Sequence, residues 1–563
     1  MHLDTIKQTI ENTLNNKYNI KTIIKYNDKN QLFDFYLALF IYQKTLQKDI
    51  LKIFNNFKAD LMTLSEIEDI FFDKGFLNIK IHRHLISEKV LTDVCESGAN
   101  YGQLKPNNQT IVIDYSSPNI AKNFSIGHLR STVIGNSLKN IYNKLGYQIV
   151  GINHLGDWGT QFGKMILAFQ KWGKKELVLK DPINELQKLY IYFHEQAETD
   201  EQLNQDAREI FKKLEEKDPE IVALWKWFKD ISLTEFRKIY DLLNISFDHY
   251  IGESFYHDKS MALVEDLRTK NLLLLDQKAY IMPLEGVPPT LIQKDNGSTL
   301  YLTRDMACVL YRKERFNFQK TLYVVGNEQK LHYQQLKQAM NKIMGYDCDL
   351  EHVNFGLVLF ENAKISTRKI NDYRLIDILE ATTKEAEKTI QEKNHNLTNI
   401  HETAQKIAIG AVVFNDLKND RHLNIEFNLK HMLQFEGNTG PYLQYTIVRL
   451  NSVIKQLKKS DDSVEKKWVQ MKAYFAQDHY FALIKLMDQF SSVLEKAKKD
   501  NMPSVLARYL LKLAKTINQF YTLEKILTDD LVLQTANGLL IKTVSTVLKE
   551  GLNILGIPIL EQM

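Results

Sequence analysis

The chain has 563 residues, of which 44% are apolar and 25% charged, and its formal net charge is +4. At about 150 residues per domain, this length allows three or four domains. The composition is that of a globular protein and excludes a disordered, collagen-like or low-complexity chain. The mild positive charge permits a polyanionic partner without arguing for one.

Cysteine usage and the N-terminal sequence bear on the compartment. The three cysteines, Cys95, Cys308 and Cys348, are widely separated and odd in number, which argues against a disulfide framework and a paired CxxC metal site. The first residues lack the basic-then-apolar order of a signal peptide, and the apolar stretch 35–42 is too short to span a bilayer. We therefore expect a cytoplasmic protein that needs no membrane.

The two ends of the chain have different patterns. Residues 1–105 mix amphipathic helix with short alternating segments and run into the Gly-, Asn- and Pro-rich stretch 96–110, which predicts a small α+β domain. Beyond about residue 372 nearly every segment has helical periodicity. Residues 431–563 are therefore predicted to form an all-α bundle.

The middle of the chain, residues 106–430, is predicted to be an α/β domain. It contains two strand–helix–strand units of parallel type, one over residues 111–155 and one over residues 321–360. A charged helical insertion over about residues 168–250 separates them. The predicted fold class is therefore multidomain α/β plus α, with an interrupted Rossmann-like parallel sheet between the two terminal domains.

A first candidate site lies in segment 116–132, where a predicted strand ends and a helix begins near Gly127. Free backbone N–H groups and the helix dipole at such a start favour an anion. Lys122 before the helix and His128 in its first turn add donors that suit a phosphate. Taken alone, the segment is equally consistent with an ordinary β–α turn that carries a capping histidine.

A second candidate site is the loop 357–371, which also follows a predicted strand. It gathers three cations and two hydroxyls: Lys364, Arg368, Lys369, Ser366 and Thr367. Loops at the carboxyl ends of parallel strands are where α/β sheets bind ligands, and this set suits a polyphosphate. Taken alone, however, a solvated charge run is the better interpretation.

A third candidate is the pair Tyr301 and Asp305, four residues apart in segment 298–307. On a helix they share a face, where a carboxylate beside a phenol suits a guanidinium or an ammonium group. A surface ion pair is the alternative, and it is favoured when the segment is taken alone.

Glycine patterns provide a further constraint. Segment 153–163 has three glycines around Trp158, which indicates tight backbone packing near the first site. Its spacing does not fit GxGxxG, and the sequence contains no GxxxxGK[ST], HExxH or paired CxxC motif. We therefore expect no structural or catalytic zinc.

Together these segments resemble the class I aminoacyl-tRNA synthetases, most closely the arginyl-tRNA synthetase family, over residues 111–563. SSPNIAK and GHLRST are similar to the HIGH region of the family, NHLGDWGTQFG and GSTLYLTRDMA to two further segments, and KISTRK stands in place of the KMSKS loop. FEGNTGPYLQYTIVRL resembles the junction into an anticodon-binding bundle. The resemblance implies ATP-dependent attachment of L-arginine to tRNA(Arg) through an arginyl-adenylate, with release of AMP and pyrophosphate.

The resemblance also implies roles for individual residues. The reacting phosphates would be stabilised by Lys122, His128, Lys364 and Arg368. ATP would contact Ser125, Gly127, His128, Lys364 and Ser366. L-arginine would contact Ser117, Asn119, Asn153, Tyr301, Asp305 and Gln329. In this scheme Tyr301 and Asp305 take the guanidinium, and Asn153 holds the amino group.

The same resemblance implies how the substrates arrive. Mg²⁺ would come with ATP, and bound tRNA would be required for adenylate formation by a monomeric enzyme. tRNA would contact the N-terminal domain through its elbow, the helices over about 372–430 through its stem, and the C-terminal bundle through its anticodon. In the bundle the basic stripe of Arg508, Lys512 and Lys515, with Tyr509 and Tyr521 available for stacking, suits RNA, although each residue alone is equally consistent with a solvated helix face.

Three departures from the family pattern stand out. Ser125 replaces the first histidine of the HIGH region, Ile370 replaces a glycine after STRK, and the N-terminal domain matches only loosely. A serine hydroxyl can still donate a hydrogen bond, so we expect weakened rather than abolished activation. Thr367 stands at the second lysine of KMSKS, a loss for which Lys122 is expected to compensate. A non-catalytic tRNA-binding paralogue, favoured by Ser125, and a nucleotidyltransferase of the same superfamily remain as alternatives.

Overall fold

The N-terminal region of the computed structural model is a four-stranded antiparallel sheet, in the order β1-β2-β4-β3, covered by helices. The structure describes residues 1–27, 32–345, 349–360, 374–393, 397, 399–457 and 464–563. The elements of this region are α1 (His2–Tyr18), β1 (Lys25–Tyr26), β2 (Phe35–Ala38), α2 (Gln43–Leu46), α3 (Ile50–Leu61), β3 (Ile67–Asp73), β4 (Phe76–Ile81) and α4 (Arg83–Ser97). Short 3-10 turns lie at Phe40–Tyr42 and Gly98–Asn100. The predicted α+β character is confirmed.

The middle region has a five-stranded parallel sheet in the order β12-β11-β5-β6-β7. Its elements are β5 (Thr110–Asp114), α5 (Ile126–Lys144), β6 (Gln148–Asn153), β7 (His249–Tyr250), β11 (Lys320–Tyr323), α13 (Lys330–Met344) and β12 (Leu350–His352). Both predicted strand–helix–strand units therefore contribute to one sheet. Because β5 has β6 on one side and β11 on the other, the strand order reverses at β5.

Two insertions separate β6 from β11. The first is helical, with α6 (Thr160–Trp172), α7 (Lys175–Lys180), α8 (Pro182–Ala197), α9 (Gln202–Glu215) and α10 (Pro219–Leu242). The second, which periodicity did not predict, comprises a 3-10 turn and a small antiparallel sheet between two helices: Glu253–Tyr256, α11 (His257–Thr269), β8 (Leu274–Asp276), β9 (Ala279–Met282), β10 (Thr290–Gln293) and α12 (Tyr301–Phe316). A short 3-10 turn, Asn327–Gln329, precedes α13.

The strand predicted over residues 352–360 is wrong as one element. It divides into β12, in the main sheet, and β13 (Val358–Phe360), which pairs with β14 (Ile425–Phe427) in a separate parallel pair. Between them the backbone bonds to other partners. The carbonyl of Asn354 accepts from Arg421 and that of Gly356 from Arg130, so the chain leaves the sheet there.

The C-terminal region is helical, as predicted. Its described helices after β13 are α14 (Leu375–Lys393), α15 (Ile400–Leu417), α16 (Leu429–Met432), α17 (Gly440–Gln456), α18 (Val464–Phe475), α19 (Asp478–Asp488), α20 (Phe490–Lys499), α21 (Ser504–Leu523) and α22 (Leu531–Leu555). Among the described residues, α22 alone is long and apolar enough to cross a membrane, but 56% of its most apolar window is buried inside the bundle. That burial is typical of a core helix.

Arg130 joins the parallel sheet to the helices that follow it. Its side chain is 1% exposed and bonds to Asp416 of α15 over 3.1 Å and to the carbonyls of Gly356 and Leu423 over 2.7 and 2.8 Å. Burial raises the pKa of Asp416, and the Arg130 charge opposes that rise. A buried charge of this kind is stable only while its partners are present.

Replacing Arg130 by methionine should therefore destabilise the fold by about 3–5 kcal/mol, because Asp416 would remain buried without a counter-ion. Denaturant unfolding measures this loss. The matched control is Arg315→Met, since Arg315 is exposed at the end of α12 and its loss should cost about 0.5 kcal/mol or less. Adding Asp416→Asn to the Arg130→Met chain should restore part of the stability, and wild-type stability of Arg130→Met would contradict the assignment.

Candidate active site

A cleft of about 1120 Å³ opens at the carboxyl ends of β5 and β11. This is the point where the strand order reverses, and such points are where open α/β sheets bind ligands. Nine of the residues predicted from the sequence line it: Ser117, Asn119, Lys122, Ser125, Gly127, His128, Tyr301, Asp305 and Gln329. Residues as far apart in the chain as Ser117 and Gln329 therefore share one cavity.

The loop between β5 and α5 reaches the cleft through a tight backbone path. Ser116, Ser117 and Ala121 have φ values of 72°, 47° and 59°, which residues with a Cβ rarely adopt. The Ser117 hydroxyl donates to Asp114 over 2.8 Å. Gly156 packs so closely on this loop that a Cβ there would lie 1.9 Å from Asn119 Oδ1. The predicted tight packing of segment 153–163 therefore has a specific cause.

Ser125 and His128 form the start of α5. Ser125 is its N-cap, and the backbone N–H of Ser125 donates to His128 Nδ1 over 3.1 Å. Because Nδ1 accepts, the neutral ring carries its proton on Nε2. Burial, with a contribution from the charge of Lys122, lowers the pKa of His128 to about 4. At neutral pH His128 is therefore an uncharged donor, and Lys122 supplies the positive charge beside it.

Asp305 and Tyr301 lie on one face of α12, as their spacing predicts. Asp305 Oδ2 is 2.6 Å from His332 Nε2 at the start of α13. Burial acts to raise the pKa of Asp305, but the bond from His332 and nearby positive charge outweigh it and leave the pKa below its ordinary value. Tyr301 is 62% exposed at the cleft mouth. An ionised carboxylate thus lies next to an accessible phenol.

Sequence reasoning missed Glu253, a second carboxylate in the cleft. It pairs with Arg304 of α12 over 3.3 Å, and the Arg304 guanidinium stacks on the Tyr301 ring at 4.9 Å. Burial, together with the charges of Asp305 and Asp157, raises the pKa of Glu253 to about 7, against the opposing charge of Arg304. The local signal is the segment Gly252-Glu253-Ser254, in which a glycine precedes an acid shortly after β7.

Asp157 fixes the position of Glu253. It is fully buried and accepts from Lys229 over 2.6 Å and from the Ser254 backbone and hydroxyl over 2.8 Å each. Gly252 is in direct contact with it, since a Cβ there would lie 2.2 Å from the Asp157 carboxylate. The glycine-rich segment after β6 therefore supports the β5–α5 loop through Gly156 and the turn that carries Glu253 through Asp157.

Behind the cleft, Arg312 is fully buried and pairs with Asp114 over 2.7 Å. Burial acts to lower the pKa of Arg312, but the surrounding acidic groups keep it well above its ordinary value. The same guanidinium lies 3.3 Å from His154 Nδ1, and burial lowers the pKa of His154. Asp114 therefore has a permanent cation on one oxygen and the Ser117 hydroxyl on the other.

Asn153 does not line the cleft as expected. It is fully buried at the end of β6, and its Nδ2 donates to Tyr240 of α10 over 2.8 Å. The predictions for Lys364, Ser366, Thr367, Arg368 and Ile370 fall outside the described residues. On either side of that segment, Val358 and Leu359 line the cleft, and Arg374 pairs with Ser125 in an isolated β-bridge.

The predicted RNA-binding stripe on α21 is exposed at Arg508, Lys512 and Lys515. The expectation that Tyr509 is available for stacking is wrong. Tyr509 is 7% exposed because it lies on the apolar face of the helix, which packs against the core. Its hydroxyl donates to the carbonyl of Leu486. Tyr521 is half-buried beneath the Arg449 guanidinium, which lies 4.3 Å from its ring. Neither tyrosine therefore presents a fully exposed ring.

Within the part of the chain that the structure describes, no group of three or more His, Cys, Asp or Glu side chains is placed to hold a metal ion.

Comparison with protein families gives two matches. Residues 90–429 match the family described as tRNA synthetases class I (R), catalytic domain, and residues 443–563 match the DALR anticodon binding domain.

Whole-chain comparisons agree with these matches. The chain is 44% identical to an arginine–tRNA ligase of Exiguobacterium sibiricum, over 87% of this chain and 86% of that protein. It is 40% identical to one of Halothermothrix orenii, over 100% and 99%. Among solved structures, arginyl-tRNA synthetase of Plasmodium falciparum superposes with a TM-score of 0.79 at 25% identity, covering 100% of this chain and 99% of that one. Arginyl-tRNA synthetase of Thermus thermophilus shares the fold, with a TM-score of 0.79 at 20% identity and full coverage of both chains.

Glu253→Gln should change how stability depends on pH. The folded protein holds the Glu253 proton up to about pH 7, whereas the unfolded chain releases it near the ordinary value of 4.5. The wild-type chain therefore has its full free energy of unfolding below pH 4.5 and loses up to about 3 kcal/mol of it as the pH rises from 4.5 through 7. The glutamine variant has no proton to release at this position and does not show this loss. Unfolding both proteins at about pH 5 and about pH 8 measures the difference, and parallel pH profiles would contradict the assignment.

Proposed function

The chain belongs to the class I arginyl-tRNA synthetase family, and from that premise we propose how its cleft divides the work between the substrates. The enzyme attaches L-arginine to tRNA(Arg) at the expense of ATP, through an arginyl-adenylate, and releases AMP and pyrophosphate. The observation that carries the division is the geometry of one cavity. A helix start with His128 and Lys122 faces it, and so do the two carboxylates Asp305 and Glu253.

The part of the cleft that carries Asp305 and Glu253, here called the carboxylate wall, is assigned to the guanidinium of arginine. A guanidinium is planar, permanently charged and rich in donors, so it can bond to Asp305 and Glu253 at once. Tyr301, exposed beside them, and Gln329, in the turn just before α13, complete this end. A substrate without those donors would leave Asp305 and Glu253 with only their protein partners His332 and Arg304, which disfavours it.

The loop after β5 is assigned to the reacting end of arginine. Ser117 and Asn119 lie on it within the cleft and can bond to the amino and carboxylate groups of the substrate. Asn153 acts indirectly in this scheme, since its amide is bonded to Tyr240 behind the loop. The arginine carboxylate attacks the α-phosphate of ATP in line, and the protein contributes positioning and charge stabilisation rather than a covalent step.

The helix start is assigned to ATP. The exposed Gly127 permits close approach to the first N–H groups of α5, and His128 donates from Nε2 as a neutral ring. Lys122 provides charge for the phosphates. Ser125 contributes by holding the His128 ring. Lys364, Ser366 and Arg368 stay predicted partners of the phosphates.

The remaining partners complete the proposal. Mg²⁺ enters with ATP and is bound mainly by phosphate oxygens, as is usual for this ion. The arginyl group then passes to the terminal ribose of tRNA, at the 2′-hydroxyl. tRNA contacts the N-terminal domain, the helices α14 and α15, and the stripe of Arg508, Lys512 and Lys515. The monomeric state, the cytoplasmic location and the absence of a membrane partner stay predictions.

Arginine-dependent exchange of pyrophosphate into ATP, with and without tRNA, tests the function. The expected result is exchange that requires arginine and bound tRNA. Exchange with another amino acid would contradict the substrate, and transfer of a nucleotide without any amino acid would favour the nucleotidyltransferase. Failure to exchange at all, with tRNA binding intact, would identify a non-catalytic paralogue.

Asp305→Asn should raise the KM for arginine by about 100-fold, because a neutral amide cannot replace a carboxylate against a guanidinium. The dissociation constant of ATP should stay within about twofold, since Asp305 is assigned to the arginine end of the cleft and not to the ATP end. Asp295→Asn is the control, as Asp295 is an exposed acid just ahead of the same helix. Equal losses of arginine and ATP binding would refute the assignment of this wall.

Reversing the charges of Arg508, Lys512 and Lys515 to glutamate should weaken tRNA binding and reduce its salt dependence. Each lost phosphate contact lowers the slope of log K against log salt by about 0.7–0.9, so three contacts account for about 2. Binding measured across a salt series gives the slope, and ATP binding by the same variant serves as the control. An unchanged slope would exclude this face of α21.

A further inference from the structure

The loop that carries Ser117, Asn119 and Lys122 rests on the helical insertion. Four contacts join the two. Ser116 Oγ lies 2.8 Å from the hydroxyl of Tyr240, the Ala121 amide donates to Ser232 Oγ over 2.9 Å, the Lys122 ammonium lies 5.9 Å from the centre of the Tyr190 ring, and Asn123 donates to Gln187 over 2.6 Å. The insertion therefore forms the support beneath the catalytic loop.

Two of these contacts are made at strained points of the backbone. Ser116 and Ala121 both have positive φ values, of 72° and 59°. A residue with a Cβ keeps such a conformation only where its surroundings hold it in place. Tyr240 and Ser232, which hold these two points, are both on α10 and are 1% and 0% exposed.

Tyr240 is the centre of a buried polar network. Its hydroxyl bonds to Ser116 Oγ and accepts from Asn153 Nδ2, each over 2.8 Å. Ser116 is held further by Thr132, whose Oγ1 lies 2.9 Å from Ser116 Oγ, and by Ser131, whose Oγ accepts from the Ser116 amide over 2.8 Å. The tyrosine thus links the insertion to the ends of β5 and β6 and to α5.

Ser232 makes a simpler contact at the other end of the loop. Its hydroxyl donates to the Phe228 carbonyl of its own helix over 2.6 Å, and its lone pair accepts the Ala121 amide. Ala121 directly precedes Lys122. The two hydroxyls therefore hold different parts of the loop, with Tyr240 beside Ser117 and Ser232 beside Lys122.

We propose that Tyr240 and Ser232 are positioning residues of the helical insertion, which set the arginine-binding and ATP-binding halves of the catalytic loop separately. Neither side chain lines the cleft, so each acts through the loop residue that it holds. The inference depends on the proposed function, since it assigns Ser117 and Asn119 to arginine and Lys122 to ATP. It makes the insertion a part of the active site, although no described residue of α10 faces the substrates.

The test is a pair of conservative variants, Tyr240→Phe and Ser232→Ala, assayed by pyrophosphate exchange with saturating tRNA. Tyr240→Phe leaves Ser116 Oγ and Asn153 Nδ2 without this buried partner, and should raise the KM for arginine about tenfold with the KM for ATP within about twofold. Ser232→Ala should raise the KM for ATP about fivefold and leave the KM for arginine within about twofold.

Matched controls separate this effect from a general loss of stability. Tyr142→Phe removes a buried tyrosine hydroxyl that bonds to Asn501 over 2.9 Å, and Ser87→Ala removes a buried serine hydroxyl that bonds to the Phe475 carbonyl over 3.1 Å. Both sites lie outside the cleft. These variants should lower the melting temperature about as much as the test variants and leave both KM values unchanged.

Hydrogen exchange over residues 116–123 gives a readout that does not need activity. In each test variant this segment should exchange at least about tenfold faster than in the matched control, because a restraint on the loop is lost. If the wild-type chain shows no arginine-dependent exchange, the proposed function fails, and the hydrogen-exchange result still decides whether the two hydroxyls hold the loop.

Two outcomes would overturn the proposal. One is a Tyr240→Phe or Ser232→Ala enzyme whose two KM values change together or not at all. The other is unchanged hydrogen exchange across the loop. If Tyr240→Phe does not fold, Ser116→Ala removes the same hydrogen bond from the loop side and should raise the KM for arginine selectively. A folded Ser116→Ala enzyme with a wild-type KM for arginine would refute the role of Tyr240.

Discussion

A carboxylate in a buried cleft persists in its charged form only if a cation or a strong donor faces it. Three carboxylates at this cleft meet that condition from within the chain: Asp114 has Arg312, Asp305 has His332, and Glu253 has Arg304. The net shift of the carboxylate pKa differs among them. The pKa of Asp305 is below its ordinary value, whereas that of Glu253 rises to about 7. Glu253 is thus the carboxylate that gains most from a further cation, and the guanidinium that we propose to bind there would supply one.

The same constraint explains why the site is assembled from distant segments. Asp305 and Arg304 share α12, but Glu253 belongs to the turn before α11, and His332 to the first turn of α13. Asp157 and Gly252 hold that turn in place, so the glycine-rich segment after β6 contributes packing and one buried acid. Ser117, Asn119 and Lys122 lie on a loop, whose position is held by the buried hydroxyls and charges behind it.

How much of this the sequence predicts depends on the range of the interaction. The β5–α5 turn, with Lys122 and His128, is a local pattern and could be placed from the spacing of strand, glycine and helix. Tyr301 and Asp305 follow from the period of one helix. Glu253 and Tyr240 could not be assigned in this way, because their partners lie some 50 to 120 residues away in the chain. The prediction for Tyr509 was wrong for another reason, because a tyrosine next to a basic stripe on a helix can equally lie at the edge of the core.

Ser125 is the feature that most favours a non-catalytic interpretation, and its contacts weigh against that reading. A histidine at this position would offer a ring donor to phosphate, whereas Ser125 caps α5 and donates its backbone N–H to His128 Nδ1. That bond fixes the proton of His128 on Nε2 and keeps one imidazole donor available in the cleft. In the proposed site the serine therefore costs one ring donor to phosphate but leaves the helix start, Lys122 and the imidazole of His128 in place. A site that had lost its chemistry would have no physical need to keep Asp305 paired with His332 and Glu253 paired with Arg304, since neutral, well-packed side chains would be no less stable.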